Sequence, residues 1–235
     1  MKPAGDRIDA LDWARIEKEL DERGWSLTGP VMSAGECADL IALYGERERF
    51  RSRIDMARFR FGLGEYKYFA EPLPEPVAEM RSALYRRLAP IANRWSKLLG
   101  GEAYPRTLAE YLRVCRASGQ DRPTPLLLRY EAGGYNCLHQ DLYGELAFPL
   151  QFTCVLNQRG RDYLGGESLL VEQRPRAQSR GEAIGLDQGC GIIFPNRYRP
   201  VAGARSHYRV NVRHGVSTVR EGTRWALGII FHDAK

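Results

Sequence analysis

The sequence predicts an α+β protein, a helical first third packed on an all-β half that carries the chemistry. Apolar residues recur at helical spacing up to residue 115, and from Pro123 short alternating runs are separated by Gly, Pro, Asn and Asp. The chain has 235 residues, 43% apolar and 27% charged, an ordinary globular composition that can bury a core without disulfide support. Residues 1–122 are therefore read as an N-terminal helical support region and 123–235 as a β domain.

Taken in order, residues 8–20 carry Leu11, Ile16 and Leu20 at helical spacing, with Trp13 and Ala14 between them. Arg23-Gly24 ends this helix, and Trp25-Ser26-Leu27 alternates into a short strand. Ser33-Ala34-Gly35-Glu36 has the pattern of a capping box and predicts a second helix over 37–44. The arginine-rich run 46–60 alternates poorly and predicts no single element. Pro72, Pro74 and Pro76 mark a loop. A long helix follows over 77–99, with Met80, Leu84, Leu88, Ile91 and Trp95 on one stripe and a kink or break expected at Pro90. A shorter helix spans 107–115. Strands are expected at 126–130, 146–156, 168–171, 191–194, 208–214 and 225–231, a spacing that suits a sandwich or barrel.

Charge and cysteine usage narrow the class. The net charge is +6, and residues 174–235 hold 11 Lys or Arg against 4 Asp or Glu, so the excess lies in the C-terminal quarter. Such a field attracts an anionic small molecule or a phosphate backbone, unless it is simply a solvated arginine-rich surface. Cys37, Cys115, Cys137, Cys154 and Cys190 form no C-x-x-C pair, which fits buried reduced thiols in a cytoplasmic protein. No run of about 18 apolar residues exists, so no helix is expected to span a membrane. The first six residues show no secretory signal.

Four histidines are present: His139, His207, His214 and His232. In His139-Gln140-Asp141, positions i and i+2 of a strand share a face, so imidazole and carboxylate can converge on one metal. Iron(II) in oxygenases is held by two histidines and one carboxylate, with further positions left open. An H-x-D triplet arises by chance about 0.2 times in a chain of this composition, so it needs support. His214 ends a strand-like run, and Arg224 follows ten residues later at the start of the last strand. The turn 220–223 would place the two on neighbouring antiparallel strands. An arginine inside a barrel needs a carboxylate partner, and its planar fork suits a dicarboxylic cosubstrate. The bland alternatives are a structural His–Asp hydrogen bond and an exposed arginine.

The stretch Leu128-Arg129-Tyr130-Glu131-Ala132-Gly133-Gly134-Tyr135-Asn136-Cys137-Leu138-His139-Gln140-Asp141 resembles the iron-site segment of Fe(II)/2-oxoglutarate dioxygenases of the prolyl-4-hydroxylase-like group. Gly165-Gly166-Glu167-Ser168 resembles their G-G-E-T/S motif. His214-Gly215-Val216-Ser217 through Gly222-Thr223-Arg224-Trp225 resembles their distal histidine followed by the 2-oxoglutarate base. The motifs run in family order. The resemblance implies a double-stranded β-helix (a jelly-roll, cupin-like core) braced by the N-terminal helices. It implies iron ligands at His139, Asp141 and His214, and Arg224 on the distal carboxylate of 2-oxoglutarate, where the group often has lysine. Tyr130 matches a tyrosine that lines the cosubstrate pocket. His207 and His232 are expected at the surface or the substrate mouth, and Glu167 as a loop carboxylate.

The implied reaction consumes Fe(II)-bound 2-oxoglutarate and O2, releases succinate and CO2 and hydroxylates a C–H bond, with ascorbate as a stimulant. For the unidentified substrate, a protein side chain or small molecule is the first expectation. Nucleic acid is the alternative. It draws on Arg174, Arg176, Arg180, Arg197, Arg199, Arg205, Arg209 and Arg213 with Tyr198 and Tyr208 interleaved, and on a resemblance to a bacterial family associated with damaged nucleic acid. Arg220 and Arg224 are four apart, not six as in alkylation-repair demethylases. A binding module without catalysis is the reading from another class. Residues 157–166 and 172–182 are the expected lid segments.

Overall fold

The computed structural model describes residues 2–235. Its helices are α1 (Ala4–Asp9), α2 (Trp13–Arg23), α3 (Ala34–Ala42), α4 (Met56–Phe59), α5 (Glu75–Leu98) and α6 (Leu108–Ala117). The periodic run at 8–20 splits because the Asp12 carboxylate accepts from the Arg15 backbone N–H (3.0 Å) and starts a new helix. Ser33 and Glu36 form the expected capping box of α3, and Thr107 with Glu110 forms a second one on α6. No break occurs at Pro90; α5 remains one element because Met80, Leu84 and Leu88 before it and Ile91 and Trp95 after it are all buried in one core.

Fourteen strands follow the chain: β1 (Ser26–Pro30), β2 (Phe50–Asp55), β3 (Gly62–Leu63), β4 (Glu65–Phe69), β5 (Leu126–Glu131), β6 (Tyr135–His139), β7 (Leu150–Val155), β8 (Tyr163–Gly165), β9 (Ser168–Gln173), β10 (Arg180–Ile184), β11 (Cys190–Pro195), β12 (Tyr198–Ala202), β13 (His207–Val216) and β14 (Val219–Ile229). They form two antiparallel sheets. The larger has the order β1-β11-β7-β14-β5-β4-β2, with β8 on β14; the smaller has the order β10-β9-β13-β6-β3, with β12 on β13. This is a double-stranded β-helix. Strands β1, β2 and β4 lie within residues 1–122 and extend the larger sheet at both edges, so that region contributes strands as well as helices. The uncertain run at 46–60 contains β2, whose residues are nearly all half-buried, which blurs the alternation.

Two layers of packing hold the sheets. The larger sheet covers the helices through Phe148, Phe152, Leu227 and Phe231, which meet Tyr85, Leu88 and Tyr111. Between the sheets, Val155, Tyr163, Leu170, Ile184, Ile192 and Phe194 form a second cluster that walls off the inner end of the barrel. Arg81 of α5 pins the C-terminal segment by donating to the Ile230 carbonyl (3.0 Å) and to the Asp233 carboxylate (2.7 Å).

Candidate metal centre

The antiparallel register of β13 on β6 sets His214 directly opposite His139, and their ring centroids are 4.2 Å apart. Asp141 lies two residues past His139, just beyond the end of β6, and its carboxylate points to the same side. One donor atom from each of His139, Asp141 and His214 falls within 4.8 Å of the others. The Asp141 Oδ2 is 3.0 Å from His214 Nε2, and Oδ1 is 3.6 Å from His139 Nε2. His139 Nδ1 lies 2.8 Å from the Cys137 carbonyl, which fixes the ring so that Nε2 faces the cluster.

Burial opposes ionisation of Asp141, but the two imidazoles more than offset it and hold the carboxyl well below its usual range. Burial together with neighbouring His139 pushes His214 below the ordinary imidazole value. Burial works against protonation of His139, but the Asp141 carboxylate outweighs it and holds that imidazole above its ordinary value, so binding a divalent cation would have to displace a proton there.

Further residues orient Asp141, and no sequence pattern pointed to them. Tyr143 Oη donates to Asp141 Oδ1 (2.7 Å). Asn196 brackets the Asp141 backbone, accepting from its N–H (3.1 Å) and donating Nδ2–H to its carbonyl (2.7 Å). Tyr143 at i+2 from a candidate ligand could have been flagged; Asn196, distant in sequence, could not.

The three donors open onto a cavity of about 430 Å³ between the sheets, which Tyr130 and Arg224 also line. Arg224 is 1% exposed, yet among the described residues it has no carboxylate partner, and its Nε makes no hydrogen bond. Nη2 donates to Ser168 Oγ (3.4 Å), and the Tyr163 hydroxyl also lies beside the guanidinium; both partners are neutral. Tyr130 faces it across the β5–β14 ladder, with the guanidinium 5.7 Å from the ring centroid. Gly166 makes this placement possible: its φ is +64°, and a Cβ there would stand 2.8 Å from Arg224 Cδ. A buried guanidinium held only by neutral groups is costly unless an anion joins it. Three metal donors and this cation in one cavity fit a chelating dicarboxylate with iron.

His214 and Arg224 are not on neighbouring strands, as the turn at 220–223 had suggested. The chain crosses from the smaller to the larger sheet at residues 217–218, so the two side chains enter the cavity from opposite walls. His207 is exposed as expected. His232 is not a mouth residue: it is fully buried, because the segment held by Arg81 turns inward, and its Nδ1 accepts from the Phe148 N–H (3.2 Å). Burial pushes its pKa down to about 4. Glu167 accepts from Ser217 Oγ and stands outside the metal cluster. Cys137 is exposed rather than buried.

The basic quarter divides in two. Arg174 and Arg199 pair with Glu172, and Arg180 with Glu182. Arg197 and Arg209 instead flank the Tyr198 ring, at 4.4 and 5.9 Å from its centroid. Neither expected lid segment reaches the cavity; residues 60–61 and 136–143 line it instead.

Fold and donor set together define an oxygenase of the Fe(II)/2-oxoglutarate type. Residues 64–234 match the Oxygenase-NA family, described as an oxygenase catalysing oxidative methylation of damaged DNA, and the chain belongs to that family. Among its relatives are the Mycobacterium tuberculosis proteins Rv2227 and MT2286, each 52% identical over 167 residues, which is 71% of this chain and 72% of the relative. In fold it is similar to a Pseudomonas putida prolyl-4-hydroxylase (TM-score 0.55, 16% identity, 95% of this chain and 99% of that one). It is also similar to a 2OG-Fe(II) oxygenase family oxidoreductase from Burkholderia pseudomallei (0.55, 15%, 94% and 91%). A third likeness is to a Trichoplax adhaerens prolyl hydroxylase solved with a hypoxia inducible factor peptide (0.54, 14%, 94% and 89%). No helix among the described residues is long and apolar enough to cross a membrane.

Proposed function

We propose that His139, Asp141 and His214 hold Fe(II), that Arg224 binds the distal carboxylate of 2-oxoglutarate, and that the centre hydroxylates a C–H bond of a nucleic-acid substrate. The observation that carries this reading is the buried guanidinium of Arg224, without a carboxylate partner among the described residues, in the cavity onto which the three donors open. When bound, the iron and 2-oxoglutarate supply the oxidising power for O2 activation, giving succinate and CO2 as co-products.

The chain's own residues do the rest. Arg224 anchors and orients the cosubstrate by a bidentate pair. Tyr130 supplies one wall of its pocket; burial raises its pKa far above neutrality, so the ring stays uncharged beside the guanidinium. Leu128, Leu170, Ile192 and Phe194 keep the inner end of the cavity apolar and exclude water. Tyr143 holds the Asp141 carboxylate toward the two histidines, and Asn196 fixes the Asp141 backbone beneath it.

The family description favours a nucleic-acid substrate. Hydroxylation of a protein side chain or small molecule is the second reading, favoured by the fold shared with prolyl hydroxylases. A binding module without catalysis would have no physical use for three convergent donors and an unpaired buried arginine. Purified protein given Fe(II), ascorbate and labelled 2-oxoglutarate is expected to release succinate slowly without substrate and faster with methylated single-stranded DNA. Absence of both release and metal uptake would leave only the binding-module reading.

A further inference from the structure

An aromatic pair, one ring of which lines the cavity, is used neither by the family description nor by the metal site. Phe59 is 54% exposed and Phe61 47% exposed, although both are large and apolar. Their rings stack on each other at 5.5 Å and 20°. Phe61 and Arg60 line the cavity opening, together with exposed Leu138 and Leu142.

The backbone fixes this group relative to the metal donors. α4 ends at Phe59, and Met56 below it is fully buried. β3 then pairs with β6, the strand that ends in His139, and the Phe61 carbonyl accepts from the Cys137 N–H (2.8 Å). Arg60 terminates α4 in the left-handed region (φ 59°), a position that favours glycine. An arginine held there at a cavity mouth, in strained backbone, points to a ligand contact. Arg60 has no ion-pair partner among the described residues, whereas its neighbour Arg58 pairs with Asp55 (3.8 Å).

We infer that residues 59–61 form the substrate clamp, in which the exposed phenylalanine face stacks on a nucleobase and Arg60 takes the adjoining phosphodiester. Bases stack on aromatic side chains whatever their sequence, and an unpaired guanidinium suits phosphate oxygens. The clamp rests on the nucleic-acid reading above and names where that substrate is gripped. An apolar peptide would also cover Phe61, but it would have no use for the unpaired cation next to it in the chain.

The test uses full-length protein loaded with Mn(II) and 2-oxoglutarate without O2, and a fluorescent twelve-nucleotide single strand of thymidylate in a salt series. Phe61→Leu keeps apolar bulk and removes the π-face, so affinity should fall about 5- to 150-fold with the salt slope unchanged. Phe61→Trp should bind as well as the parent. Arg60→Gln should lower the slope of log K against log salt by about 0.7. Phe59→Leu, at the more exposed position, should weaken binding with no effect on folding. 2-Oxoglutarate affinity should be unchanged in all four variants. If the parent binds and the variants bind identically, the clamp is wrong while the nucleic-acid reading stands. If the parent does not bind the strand, both fail. If an apolar peptide binds in its place, and Phe61→Leu leaves that binding intact while Phe61→Ala abolishes it, the occupant is a protein and the clamp as stated is overturned.

Discussion

Replacing Arg224 with methionine should have two opposite effects. The guanidinium is 1% exposed and lacks a carboxylate, so in the ligand-free protein it is a desolvated charge with little compensation. Apolar replacement of such buried charge is neutral or stabilising by about 1–4 kcal/mol. In a chain of this size each kcal/mol moves the melting temperature by about 2–4 °C, so the variant should melt at or above the parent. With 2-oxoglutarate the sign reverses. A bidentate pair comprises two charge-assisted bonds of about 1.5–3 kcal/mol each, and losing them, with some recovery by water, costs about 3–4 kcal/mol. The dissociation constant should therefore rise roughly 10²- to 10³-fold. Calorimetric titration of the Mn(II)-loaded protein without O2 measures this directly, and the 2-oxoglutarate-induced rise in melting temperature should vanish. A dissociation constant within threefold of the parent, with a lower melting temperature, would make Arg224 a structural cation and refute the reasoning.

Tyr143→Phe removes the hydroxyl that holds Asp141 Oδ1 and should weaken Mn(II) or Co(II) binding about 10- to 100-fold, measured by competition with a chelator, with the fold intact. Gly166→Ala places a Cβ at 2.8 Å from Arg224 Cδ in left-handed backbone; denaturant titration should show a loss of about 1–2 kcal/mol, and 2-oxoglutarate binding should weaken with it. Burial works against ionisation of Glu172, but hydrogen bonds from Arg199 and Arg174 outweigh it and keep its pKa below the usual glutamate value. Its contribution is thus full above about pH 4.5 and disappears as pH falls through the folded-state value. Glu172→Gln strands Arg199, whose side chain is 3% exposed, and should cost about 3 kcal/mol at pH 7. The variant should also show a shallower decline in stability below pH 4.5 than the parent, as seen in melts across pH 3–7.

Much of the site is legible in the chain because its parts are local. His139 and Asp141 are two residues apart at the end of β6, a spacing that already suggests one face. The Gly165-Gly166 pair signals backbone that side chains rarely adopt, and both glycines do have positive φ, at +76° and +64°. What escapes the sequence is long-range. Asn196 reaches Asp141 from the end of β11, and Arg81 draws His232 inside from a helix 151 positions earlier in the chain. β2 and β4 were hidden for another reason. β2 is the edge strand with nearly all its residues half-buried, and on β4 Lys67 lays its stem over Tyr44 and Phe50, so neither run shows a clean alternation. The separation of His214 and Arg224 onto opposite walls was also invisible, since the same ten-residue spacing serves a hairpin or a crossover between sheets.

The central claim is that positions 139, 141 and 214 share one ferrous ion. Anomalous scattering from a crystal soaked without O2 in Mn(II) and 2-oxoglutarate tests it most directly. A single ion is expected within about 2.2 Å of His139 Nε2, an Asp141 carboxylate oxygen and His214 Nε2, with the far carboxylate of 2-oxoglutarate on Arg224. An ion bound elsewhere, or these three side chains pointing apart in its presence, would contradict the account.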